Sequence, residues 1–334
     1  MIAYYVHHHG SGHVHRARAI AARLRTPVIG LSSAPRPADW PGRWIRLVDD
    51  AGADAVADDV TARGTLHWVP RHHPGLSERM NAISEVLAAT GARVLVSDVS
   101  VEVALLARLH GVPVVVMAQP GDRTDRPHRL AYDLAARLLA PWPARPQPGW
   151  PPEWLAKTVH LGALSRFDDR VPVPASRTGR VVAMWGSGGL DTTTADLRAA
   201  AAATPDWAWT VIGPEPAGAK GGLRWAGWLA DPWEALCGAE VVVTHGGQNA
   251  VAEVAAARRP AVVVAQARPF GEQRATAAAL LRARLAVVSA RWPEPSRWPG
   301  LLRRARLRTG ADWARWSPGD GAARAAAELD ALAR

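Results

Sequence analysis

Residues Val241–Glu253 read VVVTHGGQNAVAE. Val241, Val242 and Val243 are β-branched and apolar in succession, which predicts a buried parallel strand. The run stops at Thr244-His245-Gly246-Gly247, and a helical pattern starts at about Gln248. A strand, a glycine turn and a helix N-terminus together make an anion site, because unclaimed N–H groups and the positive dipole end converge there. Gly246, Gly247 and Gln248 supply the turn and the helix start, and His245 and Asn249 add side-chain donors. Glu253 lies at i+4 from Asn249, on the same helical face. An anion at the helix start plus a carboxylate that can accept two hydroxyls suits a nucleoside diphosphate, with phosphates on the turn and ribose on Glu253. An ordinary strand-turn-helix with a buried glutamate gives the same pattern, so short motifs need context.

Outward from this segment, apolar strand-like runs alternate with Ala/Leu/Arg helical runs, the pattern of parallel α/β sheets. Strands are predicted near Ile2–Val6, Val28–Leu31, Trp44–Val48, Val94–Ser97, Val114–Met117 and Thr158–Leu161. A second series is predicted near Val181–Met184, Trp209–Ile212, Glu240–Thr244, Ala261–Val264 and Leu285–Val288. Helices are expected over His15–Arg25, Ser77–Thr90, Val101–His110, Gln248–Ala257 and Glu272–Ala283, among others. A chain of 334 residues suggests two domains. The boundaries read as 1–165, a proline-bearing linker at 166–180, and 181–320. A final helix at 321–334 is expected to return to the first domain.

Composition narrows the class. Hydrophobic content of 48% argues against disorder, and no apolar run approaches the ~18 residues of a membrane span. The N-terminus has no basic n-region and too short an apolar core for a signal peptide. A single cysteine, Cys237, excludes an intrachain disulfide framework, and a reducing cytoplasm is the simplest compartment. The net charge of +10 raises nucleic acid or an anionic membrane as partners. Lysine occurs only at Lys157 and Lys220, however, and the arginines form no unbroken tract. The densest stretch, Arg291–Arg308, is interleaved with Trp292 and Trp298. It reads as a solvated face, with peripheral attraction to anionic lipid as the alternative.

His-Gly-Gly-x-Asn, with a Glu eight residues after the His, resembles the donor-binding signature of nucleotide-sugar glycosyltransferases of the GT-B fold. It is close to the UDP-glycosyltransferase pattern and more loosely similar to the peptidoglycan N-acetylglucosaminyltransferase. The resemblance implies two Rossmann-like domains, with parallel sheets facing across a cleft. It places His245 on the diphosphate, Asn249 by the phosphates and Glu253 on the ribose. Ala250 departs from it, since plant relatives usually carry Ser there.

Four further segments follow in the family's order. The first-strand loop His7-His8-His9-Gly10-Ser11-Gly12-His13-Val14-His15-Arg16 is similar to the family's Gly-x-Gly-His loop, which makes His13 the implied catalytic base. Histidine suits that task because its ordinary pKa lies near working pH. Val94–Val116 matches the segment that supplies an Asp to the base, here Asp98; capping of the following helix is the other role open to it. Trp185-Gly186-Ser187-Gly188-Gly189 resembles the loop beside the diphosphate, with Ser187 and the Gly188 N–H as contacts, or is a plain turn. Trp228, 17 residues before His245, stands where the family flanks the base, though packing is an equal use for it. Glu272-Gln273 matches in type the pair that binds sugar hydroxyls, and could instead cap a helix.

The chain has no Asp-x-Asp, so the resemblance implies metal-free, inverting transfer to an acceptor hydroxyl. No cofactor is expected beyond a UDP- or dTDP-sugar co-substrate. The acceptor, a natural product or a lipid-linked molecule, is expected on first-domain loops at 63–77 and 119–128, where His67, Trp68, His72 and His73 lie. The residues leave the sugar, the base and the oligomeric state open. Five histidines within nine residues also invite a metal, and the glycines a dinucleotide, although the full Gly-x-Gly-x-x-Gly is missing. A nucleotide-sugar epimerase on the same fold and a non-catalytic anion- or nucleic-acid-binding module are the competing functions.

Overall fold

The computed structural model describes residues 1–8, 10–50, 59–174, 177–185, 191–213 and 223–334. The chain divides into two compact units, Met1–Gly162 with Asp320–Arg334, and Ala163–Gly319. The first unit opens with β1 (Ile2–Tyr5), α1 (Ser11–Ala21), β2 (Val28–Ser32), β3 (Arg43–Arg46), α2 (Pro74–Thr90) and β4 (Val94–Ser97). It continues with α3 (Val101–Leu109), β5 (Val114–Met117), α4 (Arg126–Leu134), β6 (Arg137–Ala140), α5 (Pro152–Ala156) and β7 (Thr158–His160). The second unit holds β8 (Arg180–Met184), α6 (Thr194–Ala202), β9 (Ala208–Ile212), β10 (Arg224–Trp225), α7 (Trp233–Gly238), β11 (Val241–His245) and α8 (Gln248–Ala256). After these come β12 (Ala261–Val264), α9 (Glu272–Arg282), β13 (Val287–Ser289) and α10 (Trp298–Arg306). A last helix, α11 (Gly321–Leu332), packs on α1 in the first unit.

Both sheets are parallel throughout. The first runs β3-β2-β1-β4-β5-β6-β7, the second β10-β9-β8-β11-β12-β13. Strands β1, β4, β5, β11 and β12 are buried along their whole length or nearly so, as expected of Val/Ile/Leu runs covered by helices on both faces. The strand order reverses between β1 and β4 in the first sheet, and between β8 and β11 in the second. Ligands of open α/β sheets bind beyond the carboxyl ends of strands at such points. The loop after β1, Asp98 after β4 and the His245 turn after β11 all stand there.

Tryptophan fills much of the second core. Trp298 is fully buried and packs edge-on to Trp209 at 5.3 Å and tilted on Trp292 at 4.7 Å. The aromatics of the Arg291–Arg308 stretch therefore turn inward, while Arg303, Arg304 and Arg306 stay exposed. The segment read as a linker is anchored in the second unit. Phe167 is buried and packs tilted against Trp233 at 5.2 Å, and Arg166 and Arg170 lie over the Phe167 ring. Among the described residues, no helix is long and apolar enough to cross a membrane.

Helix α1 begins at Ser11, four residues before the sequence-based start, so Gly10 is its N-cap and His13 sits in its first turn. Gly10 has φ of 78°, a conformation glycine adopts without the usual Cβ penalty. What reads as a loop is thus a helix N-terminus that carries the histidine.

Candidate active site

In the first unit, α1 and β4 bring two residues together from 85 positions apart. His13 Nδ1 lies 3.0 Å from Asp98 Oδ1. Asp98 has no solvent exposure and continues the β1–β4 ladder, donating its N–H to the Tyr5 carbonyl. It does not cap α3, because the Ser100 hydroxyl accepts from the Val103 N–H and does that itself. Val99, the next residue, has φ of 71°, a strained position for a β-branched side chain and one that clusters at functional sites.

Arg16, one turn after His13, completes a triangle. Its Nη2 donates to Asp98 Oδ1 at 2.6 Å and lies 3.1 Å from His13 Nδ1. Burial pushes the Asp98 carboxyl up, but the Arg16 guanidinium and His13 outweigh it and hold the group down at about 2. A carboxylate ionised at every working pH is the stronger partner for the ring nitrogen, so Nδ1–H donates to Asp98 and Nε2 is the nitrogen with the lone pair. Sequence reasoning passed over Arg16, although its i+3 spacing from His13 was the available signal. His7 packs against the His13 ring with centroids 5.5 Å apart.

In the second unit, β11 ends in a turn locked by one side chain from α9. Gln273 Oε1 accepts from the Gly246 N–H at 3.1 Å and the Gln266 N–H at 3.0 Å. Its Nε2 is therefore the donor toward His245 Nδ1, at 3.0 Å. The Gly247 N–H reaches the same Nδ1 at 3.1 Å. With Nδ1 accepting twice, the proton of His245 resides on Nε2. Burial first, then the Arg268 cation, push His245 down to about 4, so it is a neutral N–H donor at pH 7. Both glycines are sterically required. A Cβ on Gly246 would meet the Gln273 carbonyl oxygen at 2.6 Å, and one on Gly247 would meet the His245 ring at 2.3 Å.

Gly247 is the N-cap of α8, and no side chain caps the first turn. Gln248 and Asn249 are its first two residues and are half-buried. Glu253, farther along α8, is buried and accepts from Arg166 Nε at 2.8 Å. Arg166 also donates to the Ala230 carbonyl at 2.7 Å. Burial raises the Glu253 carboxyl, and Arg166 opposes that shift without cancelling it. Nothing local in the sequence marks Arg166 as a partner 87 residues away.

The remaining residues fall in different places. Glu272 opens α9 beside Gln273 and is half-buried, while the Gln273 amide is committed to the turn. Trp228 is 57% exposed, which removes packing as its use. Ser187 and Gly188 lie outside the described residues, as does His9. Arg268, which donates to Asp191 at 3.1 Å and to Gln266 at 3.2 Å, adds a cation near His245 that sequence reasoning did not single out.

No protein-family model and no curated protein matches the chain. Solved structures do. The glycotransferase of kitacinnamycin superposes with a TM-score of 0.70 at 17% identity, covering 100% of this chain and 99% of that one. The calicheamicin glycosyltransferase gives 0.68 at 17% identity, covering 99% and 98%. The chain has the GT-B fold. A putative UDP-N-acetylglucosamine 2-epimerase from Listeria monocytogenes gives 0.64 at 12% identity, covering 97% and 93%, so GT-B architecture by itself is shared by transferases and an epimerase.

Proposed function

We propose that the protein is a glycosyltransferase that moves a sugar from a nucleoside-diphosphate donor, a UDP- or dTDP-sugar, to an acceptor hydroxyl with inversion. The observation that carries this reading is the His13–Asp98 pair at the switch point of the first sheet. His13 Nε2 takes the proton of the acceptor hydroxyl, and Asp98 balances the charge that forms on the ring. The freed oxygen attacks the anomeric carbon. The bond from that carbon to the diphosphate breaks, and the diphosphate leaves with both electrons.

The donor belongs to the second unit in this reading. The uncapped start of α8 and the His245 Nε2–H receive the diphosphate as fixed dipoles, without a divalent metal. Asn249 adds a donor beside the phosphates. Glu253, held by Arg166, accepts from the ribose hydroxyls. Trp228 flanks the base, Ser187 and Gly188 contact the diphosphate, and Glu272 faces the sugar. The competing function is epimerisation of the same donor, which needs no acceptor.

The test is incubation of UDP- and dTDP-sugars with hydroxylated aromatic acceptors in EDTA. The expected result is a product of inverted anomeric configuration, with kcat lowered at least ~100-fold in His13→Ala and diphosphate affinity kept. Donor turned to an epimer without acceptor would support the competing reading. Near-normal transfer by His13→Ala would remove the base assignment.

A further inference from the structure

The arginine-rich end of α10 leads into a cavity of about 460 Å³ in the second unit. That volume falls within the ~300–1,000 Å³ range of small-molecule sites. The cavity lies at the amino ends of β11 and β12, which Glu240 and Pro260 immediately precede. The His245 turn is at the carboxyl end of β11, so the length of that strand, roughly 16 Å, separates the two places.

Four arginines, Arg177, Arg258, Arg306 and Arg308, meet one carboxylate, Glu240, in the lining. That carboxylate is already engaged. Glu240 is buried, accepts from the Gly179 N–H at 2.8 Å and pairs with Arg306 Nε at 3.2 Å. Arg258 donates to the Ala255 and Ser317 carbonyls at 3.1 and 3.0 Å, and the Asp168 carboxylate favours its charge. Asp312, beside the lining residue Ala311, is paired with Arg315 at 3.6 Å. Among the described residues, Arg177 and Arg308 have no carboxylate partner. Ala175 and Ser176, outside the described residues, are uncharged types. The one undescribed acidic residue of this unit, Glu215, follows the carboxyl end of β9 in the chain.

A fifth cation stands behind the wall. Arg259 has no solvent exposure, and its Nη2 donates to the Val173 carbonyl. Its Nε and Nη1 have no hydrogen-bond partner among the described residues. Arginine keeps its proton in proteins, and a buried charge without a counter-charge is costly. The cavity wall includes Val173, which Arg259 holds, and Pro260, the next residue in the chain. An anion there is the counter-charge that the described residues do not supply.

The cations are placed in advance. A Cβ on Gly310 would meet the Arg258 carbonyl oxygen at 1.9 Å, and the Trp313 indole donates to the Arg259 carbonyl at 2.7 Å. The turn after α8 and the segment after α10 are thereby pinned together. Arg306 lies over the Trp207 ring. A carboxylate offers its lone pairs in one plane, whereas a phosphoryl group offers oxygens in several directions and can meet guanidinium forks from separate chain segments.

We propose that this cavity binds a compact oligophosphate anion, whose phosphoryl oxygens accept from Arg177 and Arg308 in the field of Arg258, Arg259 and Arg306. The site is distinct from the His245 turn and does not depend on the transferase reading.

The test is calorimetry with sodium tripolyphosphate at about 0.15 M salt, where screening reaches only about 8 Å. The wild-type chain is expected to bind it. Arg177→Gln with Arg308→Gln should weaken binding at least ~10-fold. Arg303→Gln with Arg304→Gln removes the same charge from an exposed part of α10 outside the cavity, and should weaken binding less than ~3-fold. No binding by the wild type would overturn the proposal. Equal loss in the two double variants would do the same, by showing general attraction to a basic protein. Undiminished binding in both would place the anion elsewhere, at the start of α8 for example, and would also overturn it. Binding to phosphatidylglycerol vesicles with none to free tripolyphosphate would replace the cavity by a membrane-facing patch.

Discussion

At the scale of single residues, Gln273 decides the chemistry of a neighbour it does not resemble. Its carboxamide accepts from two backbone N–H groups and donates to His245, so it fixes both the glycine turn and the tautomer of the imidazole. The two tasks separate by substitution. Gln273→Ala leaves the Gly246 and Gln266 N–H groups buried without an acceptor, at a cost of roughly 1–3 kcal/mol for each. Gln273→Glu keeps an acceptor for both N–H groups but turns the side-chain donor at His245 Nδ1 into a carboxylate acceptor, which as a charged partner outweighs the remaining Gly247 N–H and draws the ring proton to Nδ1. The Nε2 proposed to meet the phosphates then carries a lone pair. Expected are a lower melting temperature in the alanine variant only, and loss of nucleoside-diphosphate affinity of at least ~10-fold in both, read by thermal unfolding and by calorimetry with UDP and dTDP. Undiminished affinity in Gln273→Glu would show that His245 Nε2 does not donate to the diphosphate.

At the scale of elements, legibility followed burial. Strands β4, β5 and β12 stand where their β-branched runs place them, residue for residue, because both faces of a parallel strand select the same apolar side chains. Strand β6 was not legible. Its Arg137-Leu138-Leu139-Ala140 follows α4 after two residues and continues a helix-like composition, and only pairing with β5 and β7 makes it a strand. The start of α1 was missed because its first turn has no apolar stripe and no acidic residue. The spine of each candidate site could be read from local motifs. Arg166 on Glu253 and Gln273 on the His245 turn could not, since they are contacts across the fold and leave no period in the chain. Helix α11 shows the same limit. Asp330 is buried and accepts from the Thr26 N–H at 2.9 Å and the Arg25 N–H at 3.1 Å, just before β2. Asp330→Ala should destabilise the first unit by about 1–3 kcal/mol, with Asp330→Asn recovering part of it. Chemical denaturation checks this; an unchanged midpoint would mean that α11 is held by its apolar face alone.

At the scale of the whole molecule, the two units share an acid weakness with different sources. His128 in the first and His245 in the second are both pushed down to about 4 by burial beside an arginine. The unfolded chain binds protons at these sites from about pH 6.5 downward, whereas the folded chain resists until about pH 4. Stability is therefore undisturbed above pH 6.5 and falls as the pH drops from 6.5 toward 4. Each histidine accounts for roughly 2 kcal/mol by pH 5. Asp98 works lower down. Its folded value of about 2 lies below the unfolded ~3.9, so its contribution is whole above that value and drains away as the pH falls from there toward 2. Glu253 runs the other way, since its raised carboxyl relieves the buried charge as it protonates. The histidines are separable from general acid denaturation because glutamine can keep a neutral hydrogen-bonding group at either site. Melting temperatures taken from pH 7 to pH 5 should fall steeply for the wild type and clearly less for the double variant His128→Gln, His245→Gln. A double variant with the wild-type slope would place the acid sensitivity in surface charge, which at +10 net already repels itself and gains further positive charge as the pH drops.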